Sequence, residues 1–245
     1  MPHSSVVPIP QRTLADLVTE NARAASVFER FGLDYCCHGR QSVEDAVARK
    51  GASLSEVVNA IDALGTPSPD DTLPADWEHL DHLTRYIVTH HHRYVRESCP
   101  QLTQWLDKLV ARHGPQHSEL AEVRRTFYTL AEELLAHMQK EENVLFPFID
   151  DLAAANRSSG RLPAGPFGMI QSPVRVMEAD HELAGELVAR LNSQTGGYTP
   201  PPDGCNTYRL CYAELARFER DLHQHIHLEN NVLFPRAIEL ETRTA

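Results

Sequence analysis

Apolar residues recur three and four positions apart along four long segments, the spacing that gathers one stripe of side chains on one face of an α-helix. The first stripe holds Val88, His92, Val95, Cys99, Leu102, Leu106 and Leu109. The second runs Leu120, Val123, Phe127, Leu130, Leu134, His137, Glu141, Leu145 and Phe148. The third takes Val174, Met177, His181, Ala184, Val188 and Leu191, and the fourth Cys211, Leu215, Phe218, Leu222, His225, Glu229 and Val232. Ser172 and Pro173 read as the N-cap and first turn of the third helix. Pro100 is expected to kink the first, and 157–166 and 196–204 are expected to be loops. Four such helices predict an antiparallel bundle over residues 77–240.

The N-terminal part has shorter helices. Thr13 with Asp16, Ser42 with Asp45 and Ser53 with Glu56 have the spacing of capping boxes, and Gly32 and Gly65 read as helix stops. Residues 10–65 therefore predict a small helical domain, joined to the bundle by a proline-rich linker at 66–76. A core that small is marginal, so this module is expected to dock on its neighbour or to form a homodimer. The fold class is all-α.

The 245 residues carry a formal charge of −11. A negative surface repels phosphate backbones, which argues against nucleic acid as a partner. No apolar run approaches the roughly 20 residues of a membrane-spanning helix, and no basic-then-apolar leader opens the chain. Five cysteines, an odd number, do not suggest a disulfide framework, and the expected compartment is the cytoplasm.

Fourteen histidines outnumber twelve glycines, and their placement carries the chemistry. His137-Met138-Gln139-Lys140-Glu141-Glu142-Asn143-Val144-Leu145-Phe146-Pro147 matches His225-Ile226-His227-Leu228-Glu229-Asn230-Asn231-Val232-Leu233-Phe234-Pro235 at an offset of 88. His92 precedes the first copy by 45 residues and His181 the second by 44. Each half of the bundle thus supplies one lone histidine and one His-x-x-x-Glu, whose members reach a common point one turn apart. An unpaired carboxylate on an apolar seam carries a desolvation cost of several kcal/mol, and metal is the economical compensation. Six ligands exceed the four of a tetrahedral zinc. They suit two ions bridged by Glu141 and Glu229, with room for an oxo or hydroxo bridge. Ligation by nitrogen and oxygen without thiolate favours iron, with manganese also compatible. His92 is preferred over His90 and His91, which rotate off the seam by about 100° per residue. His223 and His227 also leave the seam and are expected to face solvent. Phe146-Pro147 and Phe234-Pro235 read as packing and helix-end features.

These motifs resemble a hemerythrin-like di-iron domain, and the leading Asp34-Tyr35-Cys36-Cys37-His38-Gly39 resembles the N-terminal domain of the repair-of-iron-centres family. The resemblance covers about residues 10 to 238. It implies a two-iron cofactor held by His92, His137, Glu141, His181, His225 and Glu229, and a cytoplasmic role in repairing iron-sulfur clusters under nitrosative or oxidative stress by supplying iron. Its partners would be damaged or apo iron-sulfur proteins. Nitric oxide reduction at the same centre, and dioxygen or redox sensing, are the competing activities. Acidic residues beside the site are implied in an iron path; Glu133 matches one such position, and Asp180 stands where the family has glutamate.

Cys36 and Cys37 are the candidate iron-transfer or redox thiols. Adjacent α-carbons lie about 3.8 Å apart, below the usual disulfide range of about 4.4–6.8 Å, so a bond between them would be strained. The following helix start and the nearby His38 and Arg40 each favour thiolate. Cys99, Cys205 and Cys211 read as packing or surface residues.

Overall fold

In the computed structural model, the described residues are 7–68, 71, 72, 74, 77, 79–158 and 167–244. Among them the chain is helical. The small module packs α1 (Leu14–Glu20), α2 (Ala24–Phe31), α3 (Val43–Lys50) and α4 (Leu54–Asp62). Thr13, Ser42 and Ser53 each cap a helix by accepting from the amide three residues on, as the sequence pattern predicts. Gly32 ends α2 at φ 63°, a conformation that only glycine adopts without strain. A short bridge between Thr13 and Ser42 ties α1 to α3. Part of the proline-rich connection, residues 69, 70, 73, 75 and 76, lies outside the described residues. Asp71 anchors another part, accepting from the Ala22 amide and pairing with Arg23.

The large module is a four-helix bundle, three of whose members are compound. The first is α5 (Leu80–Ile87) running into α6 (Arg93–His113), and the second is α7 (Leu120–Lys140) into α8 (Phe146–Ser158). The third is α9 (Gln171–Gln194), and the fourth is α10 (Asn206–His227) into α11 (Phe234–Thr244). Each compound helix is joined by a π-helical turn: Val88–His92, Glu141–Leu145 and Leu228–Leu233. Apolar periodicity predicts uninterrupted helices here, and it does not register the extra residue. The prolines behave differently from expectation too. Pro147 and Pro235 do not end their helices, because the preceding turn is widened and the amide of Phe146 or Phe234 reaches back five residues to Glu141 or Glu229. α6 is continuous through Pro100, as a helix kinked at a proline also is.

Two further expectations shift. Ser172 is not the N-cap of α9; the helix begins at Gln171 after Ile170, whose amide is taken by the Glu241 carboxylate of α11, so a tertiary contact sets the start. α8 continues through Ser158, and residues 159–166 of the predicted loop lie outside the described residues. The loop at 196–204 is present, opening on Gly196, Gly197 and Tyr198 at positive φ.

Two apolar clusters fill the bundle. One joins α6, α7, α9 and α10 to the small module, and the other joins α5, α8, the start of α9 and α11. Side chains such as Leu102, Leu106, Phe127 and Phe218 are fully buried in the first, each contributing about 1.5–3 kcal/mol. Between the clusters lies a layer of buried polar residues. The two modules share the first cluster, so the small one is docked on its own bundle.

Candidate metal centre

The polar layer gathers His92, His137, Glu141, His181, His225 and Glu229, each no more than 2% exposed. They form two four-residue groups, His92-Glu141-His225-Glu229 and His137-Glu141-His181-Glu229, each with its ligand atoms within 4.8 Å of one another. Both glutamates belong to both groups. Glu229 divides its oxygens, Oε1 lying 2.9 Å from His225 Nε2 and Oε2 3.0 Å from His181 Nε2. Glu141 Oε2 is 3.3 Å from Nε2 of both His92 and His137. Of the three adjacent histidines, His92 enters the layer. His91 is buried beside it and His90 is exposed.

The donor set fits metal. His92 Nε2 faces His225 Nε2 at 3.1 Å, and His137 Nε2 faces His181 Nε2 at 3.0 Å. Two ligands about 2.1 Å from one ion at right angles are separated by about 3.0 Å. Both oxygens of Glu141 and Oε2 of Glu229 are buried without a hydrogen-bond partner, a costly arrangement unless a cation answers it. The same crowding sets the titration of the metal-free site. Burial opposes charge on His92 and His137, but Glu141 and Glu229 push them up to about 10 and about 9. Burial and mutual repulsion act against the charged glutamates, yet the surrounding imidazoles hold both carboxyls below their ordinary range.

The π-turns position this layer. Each of the three contains or adjoins ligands: His92 closes the first, and Glu141 and Glu229 lie in the second and third. Phe146 and Phe234, one residue beyond two of those turns, stack on His92 and His181 at 5.6 and 6.1 Å. Packing is thus the role of these phenylalanines, as expected. The outer ring nitrogens are held as well. His92 Nδ1 meets Glu142 at 2.6 Å, with Arg96 behind it. His137 Nδ1 meets Asp180 at 3.2 Å, with Lys140 behind it. His181 Nδ1 donates to Asn230 Oδ1 at 2.8 Å. Such partners fix ring orientation. Asp180 is therefore against a ring of the layer, whereas Glu133 is exposed on α7.

His227 is a correction: it is 1% exposed rather than solvent-facing. The small module covers it, with Thr19 at 3.4 Å from Nε2 and Asn231 donating to Nδ1 at 3.3 Å. Burial lowers it to about 4, despite the Tyr35 carbonyl, which favours the protonated ring as an acceptor. His223 is also partly covered, 3.6 Å from Glu29 and edge-on to Tyr35. Seam position alone does not reveal this, because the covering surface comes from another module.

The double-cysteine loop sits on the same surface. Asn231 donates to the carbonyls of Tyr35 and Cys36, and Asn230 donates to that of Cys36. Gly39 is required there, since a Cβ would come within 2.8 Å of the Asn231 amide. Cys37 Sγ lies 3.7 Å from the His181 carbonyl. The thiols are 3.9 Å apart and unbonded. With Asp34 they offer three ligand-type atoms within 4.8 Å, on the wall of a cavity of about 890 Å³ between the modules. The expected thiolate bias is not found at Cys36. Its hydrogen bond with Cys37, its burial and the Asp34 charge push it well above the usual thiol range, and His38 pairs with Asp34 at 2.7 Å instead of with a thiol. Cys99 and Cys211 are buried and Cys205 is partly exposed.

The family of the Hemerythrin HHE cation binding domain matches residues 83–237, and a Domain of Unknown function (DUF542) matches residues 10–65. The protein named Iron-sulfur cluster repair protein YtfE in Enterobacter sp. (strain 638) is 35% identical over 231 residues, 92% of this chain and 96% of that protein. Proteins of the same name in Escherichia coli O1:K1 / APEC and Escherichia fergusonii are 34% identical with the same coverage. No helix among the described residues is long and apolar enough to cross a membrane.

Proposed function

This chain belongs to the hemerythrin HHE cation-binding domain family, and from that premise we propose that it is a di-iron protein that repairs iron-sulfur clusters by supplying iron. The observation that carries the reading is the sharing of Glu141 and Glu229 between two four-ligand groups. In this reading His92 and His225 would hold one iron and His137 and His181 the other, with Glu141 and Glu229 available to both and room for an oxo group. The family and the names of the relatives support the repair role.

Bound iron supplies Lewis acidity and one-electron redox chemistry. The chain supplies the rest. Glu142, Asp180 and Asn230 keep imidazole protons on Nδ1, so that Nε2 faces inward. The apolar clusters above and below exclude water. Asp180, half-exposed and bonded to both His137 and Lys140, offers a carboxylate on the way from that iron to the surface. Glu133 would serve further along the same face. Cys36 and Cys37 would receive or pass the cargo iron beside His181. The hard carboxylates of Glu141 and Glu229 would hold ferrous iron less tightly than ferric iron, so release would follow reduction by an external one-electron donor.

Metal analysis with Mössbauer spectroscopy tests the site: two coupled irons per chain in the wild type, lost in Glu141→Ala. Iron delivery to an apo-cluster acceptor tests the role. Equal loss of iron from the oxidised and reduced forms to one chelator would remove the redox step. A Cys36→Ser/Cys37→Ser protein that restores a damaged cluster at the normal rate would remove the thiols from the route.

A further inference from the structure

The internal repeat relates the outer partners of the histidines as well as the histidines themselves. Adding 88 turns His137 into His225, Glu133 into Asp221 and Glu142 into Asn230. The lone histidines are related at an offset of 89: His181 faces His137, and His92 faces His225. Asp180, the residue before His181, accepts from His137 Nδ1. Its counterpart, the residue before His92, is His91.

His91 sits where that correspondence requires. Its ring lies 5.5 Å from that of His225, with 6° between the planes. His91 Nδ1 is 3.1 Å from Asp221 Oδ1, and the edge of Tyr86 packs on the ring at 5.7 Å. His225 Nδ1 and His91 Nε2 are both buried and lack a hydrogen-bond partner, as does the second oxygen of Asp221. The needs of the two nitrogens are complementary. His225 turns Nε2 toward Glu229 and His92, so as a ligand it carries its proton on Nδ1. His91 gives its Nδ1 proton to Asp221, which leaves Nε2 an acceptor.

We propose that His91, oriented by Asp221, is the positioning residue for His225, accepting its Nδ1 proton in the place that Asp180 takes for His137. One half of the site is then backed by a carboxylate directly and the other by a carboxylate through an intervening imidazole. This inference rests on the dimetal reading above, and deepens it.

The test loads the full chain anaerobically with ferrous iron and compares wild type with His91→Phe, which keeps the ring packing and removes the acceptor. Two readouts are taken: the rate of iron capture by a ferrous chelator, and the solvent-exchangeable, paramagnetically shifted ring N–H signals in the proton NMR spectrum. The expected result is that one of the two irons leaves about 10- to 100-fold faster and that one ligand N–H signal moves or exchanges away while the others stay. His91→Gln, whose amide oxygen is again an acceptor, restores both, and Asp221→Asn shifts the same signal as His91→Phe. These two variants also decide the matter should the phenylalanine variant not fold. Unchanged signals and capture rates in the variants, beside a wild type that holds two irons, overturn the inference alone. A wild type that takes up no iron overturns the dimetal reading beneath it.

Discussion

His137 and His225 occupy equivalent places in the two copies of the repeat, and so do His181 and His92, yet their surroundings differ. The His137–His181 half is wired to the small module: Asn230 takes the proton of His181 and donates to the Cys36 carbonyl, and the Cys37 thiol lies against the His181 carbonyl. The His92–His225 half is backed by Glu142 with Arg96 on one ring and by His91 on the other. The inward-facing atoms are nearly symmetric and the outward-facing ones are not. Inside, six ligands share a common task. Outside, each half meets a different neighbour, so the repeat has been free to change there.

Removing a shared ligand should erase the comparison altogether. Glu229→Ala is expected to lose both metals, whereas His92→Ala or His181→Ala weakens its own half first; metal content per chain, measured by mass spectrometry, separates the two patterns. Acid should loosen the wired half. His227 has a folded-state pKa lowered from 6.5 to about 4, so the unfolded chain binds the extra proton first. The neutral ring's contribution is intact above pH 6.5 and is lost as pH falls toward 4. That window is worth roughly 3 kcal/mol. Denaturant unfolding of the metal-free protein across it should show the loss, and His227→Gln should flatten it.

Exchanging the outer partners should sharpen the contrast. Glu142→Gln removes the charge behind His92 and is expected to weaken retention in that half about 10-fold or more. Asn230→Asp places a charge behind His181 and is expected to strengthen the other half, with chelator competition as the readout for both. The smallest effect is expected from Asn231→Ala. It removes two hydrogen bonds to the cysteine loop, costing about 1–2 kcal/mol, and hydrogen exchange at Cys36 and Cys37 should rise while the bundle amides stay protected.

The fold class and the convergence of the six residues were legible because a buried charge on an apolar stripe breaks a pattern that is otherwise regular. The choice of His92 among three histidines followed from the same stripe. The π-turns were not legible: steps of three and four describe an α-turn and a π-turn nearly alike, and only the backbone bond from Phe146 to Glu141 distinguishes them. His227 escaped because a stripe identifies the inside of one bundle and is silent about what lies on its outer surface. Cys36 escaped for a related reason. A nearby cation on the sequence is no guide when Asp34, three places earlier than Cys37, captures the imidazole of His38 and the Cys36 thiol together.

The widened turn at Glu141–Leu145 holds one residue more than an ordinary helical turn, and its Val144 projects into solvent. A single-codon deletion there would close the widened turn into a regular one. Phe146 would stay one turn above Glu141, but Pro147, with no amide proton, would be pressed against a regular helical carbonyl at a cost of about 3 kcal/mol. Gene-length changes of one residue, usually harmless in helices' exposed connections, are therefore barred from the middle of this bundle, where the extra residue, the seat of Glu141 and the tolerance of Pro147 are one constraint.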